Sequence, residues 1–245
     1  MKKSQKILIG VGAGVIALGV AAAIAGPMIY RDVIAAPAAD TPSLTASEST
    51  ESTDSSTADD NSATGELDPR ALAGAWSVSD GSEAGYRVDE VLNGTDVTVT
   101  GRTDDVTGTF TIGDTGLTLD AAELTVDVAS IATDSSNRDE YFRSQAMNVS
   151  EFPTATFTLT DPVTLDSAPA SGEVVKTQAT GELTLAGKTQ TVTAEIELKS
   201  DGTTAEIAGS IPITFADFGV EAPSLGFVSV EDSGSVEFQL TAAKS

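Results

Sequence analysis

Beyond about residue 70 the chain alternates apolar and polar residues with a period of two. Leu124, Val126 and Val128 are separated by Thr125 and Asp127, and later segments repeat this alternation. Successive side chains of a strand point to opposite faces of a sheet, so the pattern predicts strands with one buried and one solvated face. About eight such strands are expected, at residues 75–78, 84–92, 106–112, 117–130, 154–163, 181–199, 204–215 and 228–241.

One-sided strands of this kind form either a closed barrel or a sandwich. The longest segments exceed a typical strand and are expected to bend or divide at a turn, such as one formed by Gly187 and Lys188. A membrane barrel would turn its apolar face to lipid, but here the polar face is acidic and rich in Thr and lacks an aromatic girdle. The apolar face is therefore predicted to lie inside an all-β antiparallel domain.

One stretch, residues 137–147, departs from the β pattern. Tyr141 and Phe142 lie at helical spacing from Met147, Ser and Asn residues that can cap a helix precede them, and Pro153 follows. The sequence predicts one short helix here, covering an opening of the barrel.

The N-terminal part has the pattern of a membrane segment. Residues 7–30 carry no charge, and their 24 residues exceed the roughly 20 that span a bilayer. Lys2, Lys3 and Lys6 place residues 1–6 in the cytoplasm and the rest of the chain outside. A retained single-pass anchor in the cell envelope is the leading interpretation. A cleaved signal peptide, which would release a secreted domain, is the alternative.

Residues 31–69 are rich in Ala, Ser, Thr, Pro and acidic residues. A segment of this composition buries too little apolar surface to order itself, so a disordered acidic linker is predicted. As a flexible coil, its residues 36–68 would reach roughly 30 Å root-mean-square, enough to lift the β-domain of residues 70–245 clear of the lipid headgroups.

Composition excludes several kinds of chemistry. The chain has no Cys and no His, which removes thiol nucleophiles, Cys or His metal sites and imidazole acid–base catalysis. The formal net charge of −24 comes without any basic cluster, so nucleic acid is not an expected partner. No metal site, cofactor or enzymatic activity is expected. A hydrolase that uses two carboxylates stays open as an alternative, although no pair stands out among so many acidic residues.

Three patches together resemble the YceI-like family. Residues 106–112 (Val-Thr-Gly-Thr-Phe-Thr-Ile) are similar to its Gly-x-Phe strand. Residues 137–143 (Asn-Arg-Asp-Glu-Tyr-Phe-Arg) and 152–157 (Phe-Pro-Thr-Ala-Thr-Phe) resemble its Arg-Asp helix and the strand entry that follows. Residues 181–189 (Gly-Glu-Leu-Thr-Leu-Ala-Gly-Lys-Thr) are similar to its Gly-x-Leu-Thr-x-x-Gly-x-Thr hairpin.

The resemblance implies an eight-stranded, lipocalin-like antiparallel barrel that binds polyisoprenoid lipids outside the cytoplasm. An early strand carries a His in many family members, whereas residues 85–92 of this chain have none. Any ligand contact that the family makes through this His is therefore missing here.

A barrel of eight strands is just wide enough to be filled by its own side chains or to hold one small or elongated ligand. If it is hollow, an apolar lumen suits an isoprenoid, an isoprenoid quinone or another apolar lipid. The residues predicted to face inward are Phe110, Ile112, Leu124, Val126, Val128, Phe157, Leu159, Leu183, Leu185, Ile196, Ile211, Ile213, Val236 and Phe238.

The predicted helix supplies candidate polar contacts at the mouth of the barrel. Arg138, Asp139 and Arg143 can meet a phosphate or quinone head group, and Tyr141 lies beside them. A surface ion pair along the helix is the structural alternative. If the barrel is filled, the domain is instead expected to be a surface interaction module of the envelope. Asp217, Phe218 and Gly219 are interpreted as a turn.

Overall fold

The computed structural model describes residues 38–44, 65–224 and 226–245. The predicted membrane anchor, residues 7–30, lies outside this part of the chain. Within the described residues, no helix has the length and apolar composition that crossing a membrane requires.

The described residues form ten strands and a few short helices. The strands are β1 (Gly74–Leu92), β2 (Thr95–Thr103), β3 (Val106–Ile112), β4 (Thr118–Asp127), β5 (Thr154–Leu159), β6 (Val163–Thr164), β7 (Val175–Leu185), β8 (Lys188–Ser200), β9 (Thr204–Thr214) and β10 (Val228–Lys244). The helices are α1 (Pro69–Leu72), α2 (Ser136–Tyr141), a π-helical turn (Phe142–Ala146) and 3₁₀ helices at Val128–Ser130 and Phe215–Phe218.

Eight strands close into a barrel in the order β1, β10, β9, β8, β7, β5, β4 and β3, and β3 pairs again with β1. Every neighbouring pair in this ring is antiparallel. The other two strands are accessory, because β2 pairs with β1 alone and β6 with β4 alone. The predicted all-β, eight-stranded antiparallel barrel with one short helix is confirmed.

The first strand was predicted as two, but β1 is continuous. Between Ser79 and Glu83 it advances four residues while β10 advances only from Thr241 to Gln239, which makes a bulge. Ser82 stabilises the bulge by donating a hydrogen bond to the carbonyl of Ser79 at 2.7 Å.

Strand β2 is missing from the sequence prediction. It follows directly on a two-residue turn, where Asn93 (φ 51°) and Gly94 (φ 80°) both have left-handed backbone. Asn-Gly is the strongest short-range signal for a hairpin of this kind. The signal was therefore present in the sequence, together with the alternation of Val97 and Val99.

Two predicted strands end early for local reasons. Residues 117–130 were predicted as one strand, but β4 stops where Asp127 Oδ1 accepts a hydrogen bond from Ala129 N at 2.8 Å and caps a 3₁₀ helix. Residues 154–163 divide into β5 and β6 around Pro162, which has no amide hydrogen for a ladder bond.

The segment predicted at 181–199 divides at a turn as expected, but the turn lies one residue before the predicted Gly187 and Lys188, because Lys188 is already the first residue of β8. The turn residues Ala186 (φ 46°) and Gly187 (φ 72°) join β7 to β8. A Cβ at Gly187 would lie 2.4 Å from the ring of Phe152. Both the left-handed backbone and the lack of space therefore require glycine at this position. The alternation extends further back than predicted, and β7 begins at Val175.

Two parts of the predicted linker contact the barrel. In residues 38–44, the carbonyl of Ala39 accepts a hydrogen bond from Arg87 Nη2 at 2.6 Å, and the amide of Leu44 donates one to Glu197 Oε2 at 2.8 Å. This segment thus reaches from β1 to β8 across the outer face. Residues 65–69 also differ from the linker prediction, because Leu67 N donates to the carbonyl of Pro169 at 2.9 Å.

Helix α1 closes one end of the barrel, which we call the base. The Trp76 side chain is only 2% exposed, and its Nε1 donates a hydrogen bond to the carbonyl of Leu72 at 2.8 Å. Gly116 (φ 73°) packs so tightly on the helix that a Cβ would lie 1.6 Å from the carbonyl oxygen of Pro69. The base is therefore closed by packed side chains and backbone.

An ionic cluster crosses three strands on the outer face near the opposite end. The Glu237 carboxylate is 1% exposed and accepts hydrogen bonds from Arg87 Nε at 2.6 Å and from Arg102 Nη2. These residues belong to β10, β1 and β2, so the cluster links the barrel seam to the accessory strand.

Candidate ligand cavity

The lumen of the barrel is a cavity of about 200 Å³ whose wall is almost entirely carbon. All eight strands of the ring contribute side chains to it. Small residues make the space, since Ala179 of β7 and Ala194 of β8 pair directly across the sheet and both face inward. The barrel is therefore hollow at its centre.

The predicted inward set lines this lumen or the space above it. Phe110, Ile112, Leu124, Val126, Phe157, Leu159, Leu183, Ile196, Ile211, Val236 and Phe238 line the lumen. Val128, Leu185 and Ile213 line the second cavity. The phase assigned to each strand agrees with the structure, whereas binding of a ligand by these residues stays a prediction.

The second cavity, which we call the mouth, has a volume of about 690 Å³ and lies at the end of the barrel opposite the base. The far half of β1, helix α2, the π-helical turn and the 3₁₀ helix Phe215–Phe218 surround it. Ala84, Val126, Ala155 and Val236 line both cavities, so the mouth adjoins the lumen.

The helix at the mouth was predicted as residues 137–147, and the structure confirms one short helix there with a change of pitch. After Tyr141 the helix widens into a π turn, in which Met147 N donates to the carbonyl of Phe142 at 2.9 Å. Two residues five positions apart lie on different faces of an α-helix. A π turn contains more residues than an α-helical turn, so it places two such residues closer to the same face. Phe142 and Met147 both line the mouth.

Arg138 lines the mouth as predicted, but two carboxylates already hold its guanidinium. Nη2 lies 3.1 Å from Glu90 Oε1, and Nη1 lies 2.5 Å from Asp134 Oδ1. Burial acts to lower the pKa of Arg138, but the attraction of Glu90 and Asp134 outweighs it and raises that pKa above its ordinary value. The group is a fixed ion-pair cluster with an excess of negative charge.

Asp139 and Arg143 are placed differently from the sequence prediction. The Asp139 carboxylate is buried and accepts hydrogen bonds from Thr133 N at 2.9 Å and Thr133 Oγ1 at 2.7 Å, which fixes the turn before α2. Arg143 Nη1 points to the carbonyl of Ile131 at 3.5 Å. Neither residue lines the two cavities, whereas Tyr141 does line the mouth.

An aromatic stack that the sequence analysis missed forms one wall of the mouth. The rings of Tyr86 and Phe142 lie 4.8 Å apart at an interplanar angle of 20°. Gly101, opposite Tyr86 on β2, makes room for it, since a Cβ there would lie 2.5 Å from Tyr86 Cε1. The alternation of Ala84, Tyr86 and Val88 carried the signal that Tyr86 faces inward.

The Tyr86 hydroxyl makes no hydrogen bond to any residue that the structure describes, and it is not an enclosed polar atom. Because the Tyr86 side chain lines the mouth, we expect its hydroxyl to open on this cavity. Burial raises the pKa of the Tyr86 phenol well above its ordinary value, so the group stays protonated and neutral at physiological pH.

Phe218 is a second missed residue of the mouth. The sequence Asp217-Phe218-Gly219 was interpreted as a turn, but Phe218 lies in a 3₁₀ helix that ends at Gly219 (φ 70°). The Phe218 side chain is buried and lines the mouth.

Within the described residues, no group of three or more carboxylates is arranged to hold a metal ion.

Comparison with known proteins agrees with this architecture. The chain is 33% identical over 128 residues to the UPF0312 protein of Pseudomonas aeruginosa, which covers 49% of this chain and 63% of that protein. It is 36% identical over 99 residues to Protein YceI of Salmonella arizonae, covering 40% of this chain and 48% of that protein. The matched segments thus span between about half and two thirds of these relatives.

A solved polyisoprenoid binding domain from Saccharophagus degradans, implicated in plant cell wall breakdown, has the same fold. It superposes with a TM-score of 0.56 at 22% identity and covers 69% of this chain and 98% of that domain. The family model for the YceI-like domain matches residues 76–242, which is nearly the whole barrel. The chain therefore belongs to the YceI-like domain family.

Proposed function

We propose that this protein binds an apolar, isoprenoid-like lipid, with the chain of the lipid in the lumen and its polar end at the mouth. The observation that carries the proposal is the almost wholly carbon wall of the lumen, which adjoins a larger cavity with polar groups. The likeness to a polyisoprenoid binding domain supports the same ligand class. The role is one of binding, carriage or sensing, without catalysis.

The energetics of transfer from water favour such a ligand. Each buried CH₂ group contributes roughly 0.8 kcal/mol, so a few isoprene units offset the cost of ordering a flexible chain. A lumen that exposes almost no polar surface selects for chain shape and apolar surface. The alternative of a surface interaction module predicted a filled barrel, and the open lumen does not fit it.

Filling the lumen tests this proposal. In Ala179→Phe, a large side chain takes the space beside Ala194, and Glu182→Phe adds the same ring to the exposed outer face of the same strand. Both full-length variants are purified from native expression, and their solvent extracts are compared with those of the wild type by mass spectrometry.

We expect the lipid that co-purifies with Ala179→Phe to fall at least about tenfold, and that of Glu182→Phe to match the wild type. Circular dichroism checks that both variants fold. Wild-type protein without any co-purifying lipid, or equal lipid in Ala179→Phe, contradicts the proposal.

We further propose that residues 7–30 anchor the barrel outside the cell membrane. The docked segment 38–44 supports a short attachment, because only the seven residues 31–37 separate it from the proposed anchor. Seven residues reach at most about 25 Å. Ala39 is bound by Arg87, which also lines the mouth, so this attachment would keep the mouth near the bilayer.

Membrane fractionation of the full chain and of a chain lacking residues 1–30 tests the anchor. We expect the full chain in the membrane fraction, with its barrel accessible to protease from outside, and the shortened chain in the soluble fraction. A full chain that is soluble after processing favours the secreted form instead.

A further inference from the structure

We infer that the mouth selects a lipid with a neutral, oxygen-bearing head group, such as a hydroxyl or a quinone carbonyl, and discriminates against a phosphate. This inference rests on the proposed function, because it concerns the polar end of a lipid whose chain occupies the lumen. It assigns the recognition of the head group to Tyr86.

The cationic groups of the mouth are already paired. Among the described residues that line it, the cations are Arg87 and Arg138. The Arg87 guanidinium is held on the outer face by the buried Glu237 carboxylate, and Arg138 lies between Glu90 and Asp134. Among the residues that the structure describes, a phosphate entering the mouth would therefore find no cation without a carboxylate partner, and it would face the carboxylates as well.

The Glu90 side chain strengthens this discrimination because it is only 5% exposed. At such burial the interaction between charges is screened less than in water, so a second negative charge nearby is costly. Glu221 adds a further carboxylate to the mouth.

The Tyr86 hydroxyl supplies what a neutral head group needs. It is held in place by the stack on Phe142 and by the glycine at position 101, and it has no hydrogen-bond partner among the described residues. A neutral phenol donates a hydrogen bond to a carbonyl or hydroxyl oxygen and accepts one from a hydroxyl. Tyr86 therefore offers one directional contact at the boundary between the polar mouth and the apolar lumen.

Three probes with the same C15 chain separate the head group from the chain: the hydrocarbon farnesene, the alcohol farnesol and farnesyl monophosphate. Binding to the full chain in a non-ionic detergent is followed by the fluorescence of Trp76, which is the only Trp in the sequence and lines the lumen. Each probe partitions into detergent equally with every variant, so ratios of Kd between variants for one probe are free of this effect.

Tyr86→Phe tests the hydrogen bond, and Thr98→Val is the matched control, since it removes a hydroxyl of β2 that bonds Asp89 and lines neither cavity. We expect Tyr86→Phe to raise the Kd for farnesol about three- to tenfold and to leave that for farnesene unchanged, as loss of one hydrogen bond implies. Thr98→Val should change neither value.

Glu90→Gln tests the charge, because it leaves Arg138 with a single carboxylate. We expect the Kd for farnesyl monophosphate to fall about three- to tenfold and that for farnesene to stay constant. If farnesol binds Tyr86→Phe as well as it binds the wild type, or if Glu90→Gln does not improve phosphate binding, the head-group assignment is wrong while the proposed function stands. If no probe binds the wild type, the proposed function itself fails.

Discussion

The lumen and the mouth are adjoining cavities built on different principles. The lumen is enclosed by eight regular strands, closed at the base by Trp76 and α1, and lined by carbon. The mouth is formed by helical segments and one end of β1, and it holds an ion-pair cluster and an accessible phenol. In the lumen, a ligand is bound through its shape and apolar area. In the mouth, directional hydrogen bonds and charge act on its polar end.

This difference separates two properties of a lipid-binding barrel. Affinity for a chain arises from apolar area, which is non-directional and tolerates many ligands. Selection of a head group requires a few fixed polar groups at one end. Substitutions in the lumen should therefore affect stability and uptake, and substitutions in the mouth should affect selectivity with smaller costs in stability.

The largest expected effect compares one aromatic residue from each region. Trp76→Ala should lower the free energy of unfolding by about 3–5 kcal/mol, because it removes a buried ring and its hydrogen bond to Leu72. Phe227→Ala, at the mouth and 59% exposed, should change it by less than about 0.5 kcal/mol. Urea unfolding measures both, and similar losses for the two variants would contradict the contrast between the regions.

A smaller effect is expected for the ion pair of the mouth. A double-mutant cycle with Glu90→Gln and Arg138→Gln should give a coupling energy of about 1–2 kcal/mol, between the values for exposed and fully buried pairs. Urea unfolding of the four proteins provides the measurement. A coupling near zero would mean that Arg138 is free to meet an anionic ligand, and it would weaken the case for a neutral head group.

The aromatic stack should contribute less to stability than the ion pair of the mouth, and its main effect should be on the rate at which the ligand is released. Phe142→Leu keeps an apolar side chain but removes the stack on Tyr86, which is worth about 0.5–1.5 kcal/mol. We expect faster release of farnesol in stopped-flow measurements, since Tyr86 loses its fixed orientation. Release at the wild-type rate would show that the stack does not hold the phenol in place.

The smallest expected effect lies in the turn between β8 and β9, next to Ser200 of the lumen wall. Burial acts to raise the pKa of Asp201, but hydrogen bonds from the amides and hydroxyls of Thr204 and Thr203 lower it to about 2. Because the folded pKa lies below the unfolded value, this stabilisation is present above about pH 4 and is lost as the pH falls towards 2.

Asp201→Asn should therefore reduce stability at pH 6 by about 0.5 kcal/mol, a value that allows for solvent screening of an exposed group. The difference from the wild type should disappear near pH 2 in thermal unfolding curves. A difference that is constant between pH 6 and pH 2 would mean that the Asp201 charge has no part in the turn.

Much of the fold was predictable because alternation is a local property. The inward phase of residues such as Phe110 and Phe238 follows from their polar neighbours, and all fourteen predicted apolar residues line one of the cavities. The hairpin at Asn93 and Gly94 was equally local, and only a missed dipeptide kept β2 out of the prediction.

The polar part of the site was less predictable. Arg138 was identified, but its carboxylate partner Glu90 lies 48 positions away in sequence. Asp139 follows Arg138 directly and yet turns to Thr133, because a helix sends neighbouring side chains in different directions. Tyr86 was not among the predicted inward residues, although the alternation of Ala84, Tyr86 and Val88 carried that signal. That its hydroxyl has no hydrogen-bond partner among the described residues depends on the residues that surround it in the fold.

The sequence by itself determined that this protein is an antiparallel β-domain with one apolar face, and its motifs identified the YceI-like family. Both follow from short-range order along the chain, which period-two alternation and fixed motif spacing preserve. Only the tertiary structure decided that the lumen is open and that residues 38–44 lie on the barrel. It also showed that Arg87 and Arg138, the cations among the described residues of the mouth, are each paired with a carboxylate. Such features depend on contacts between distant residues, and the volume left between packed side chains is not encoded in any one segment.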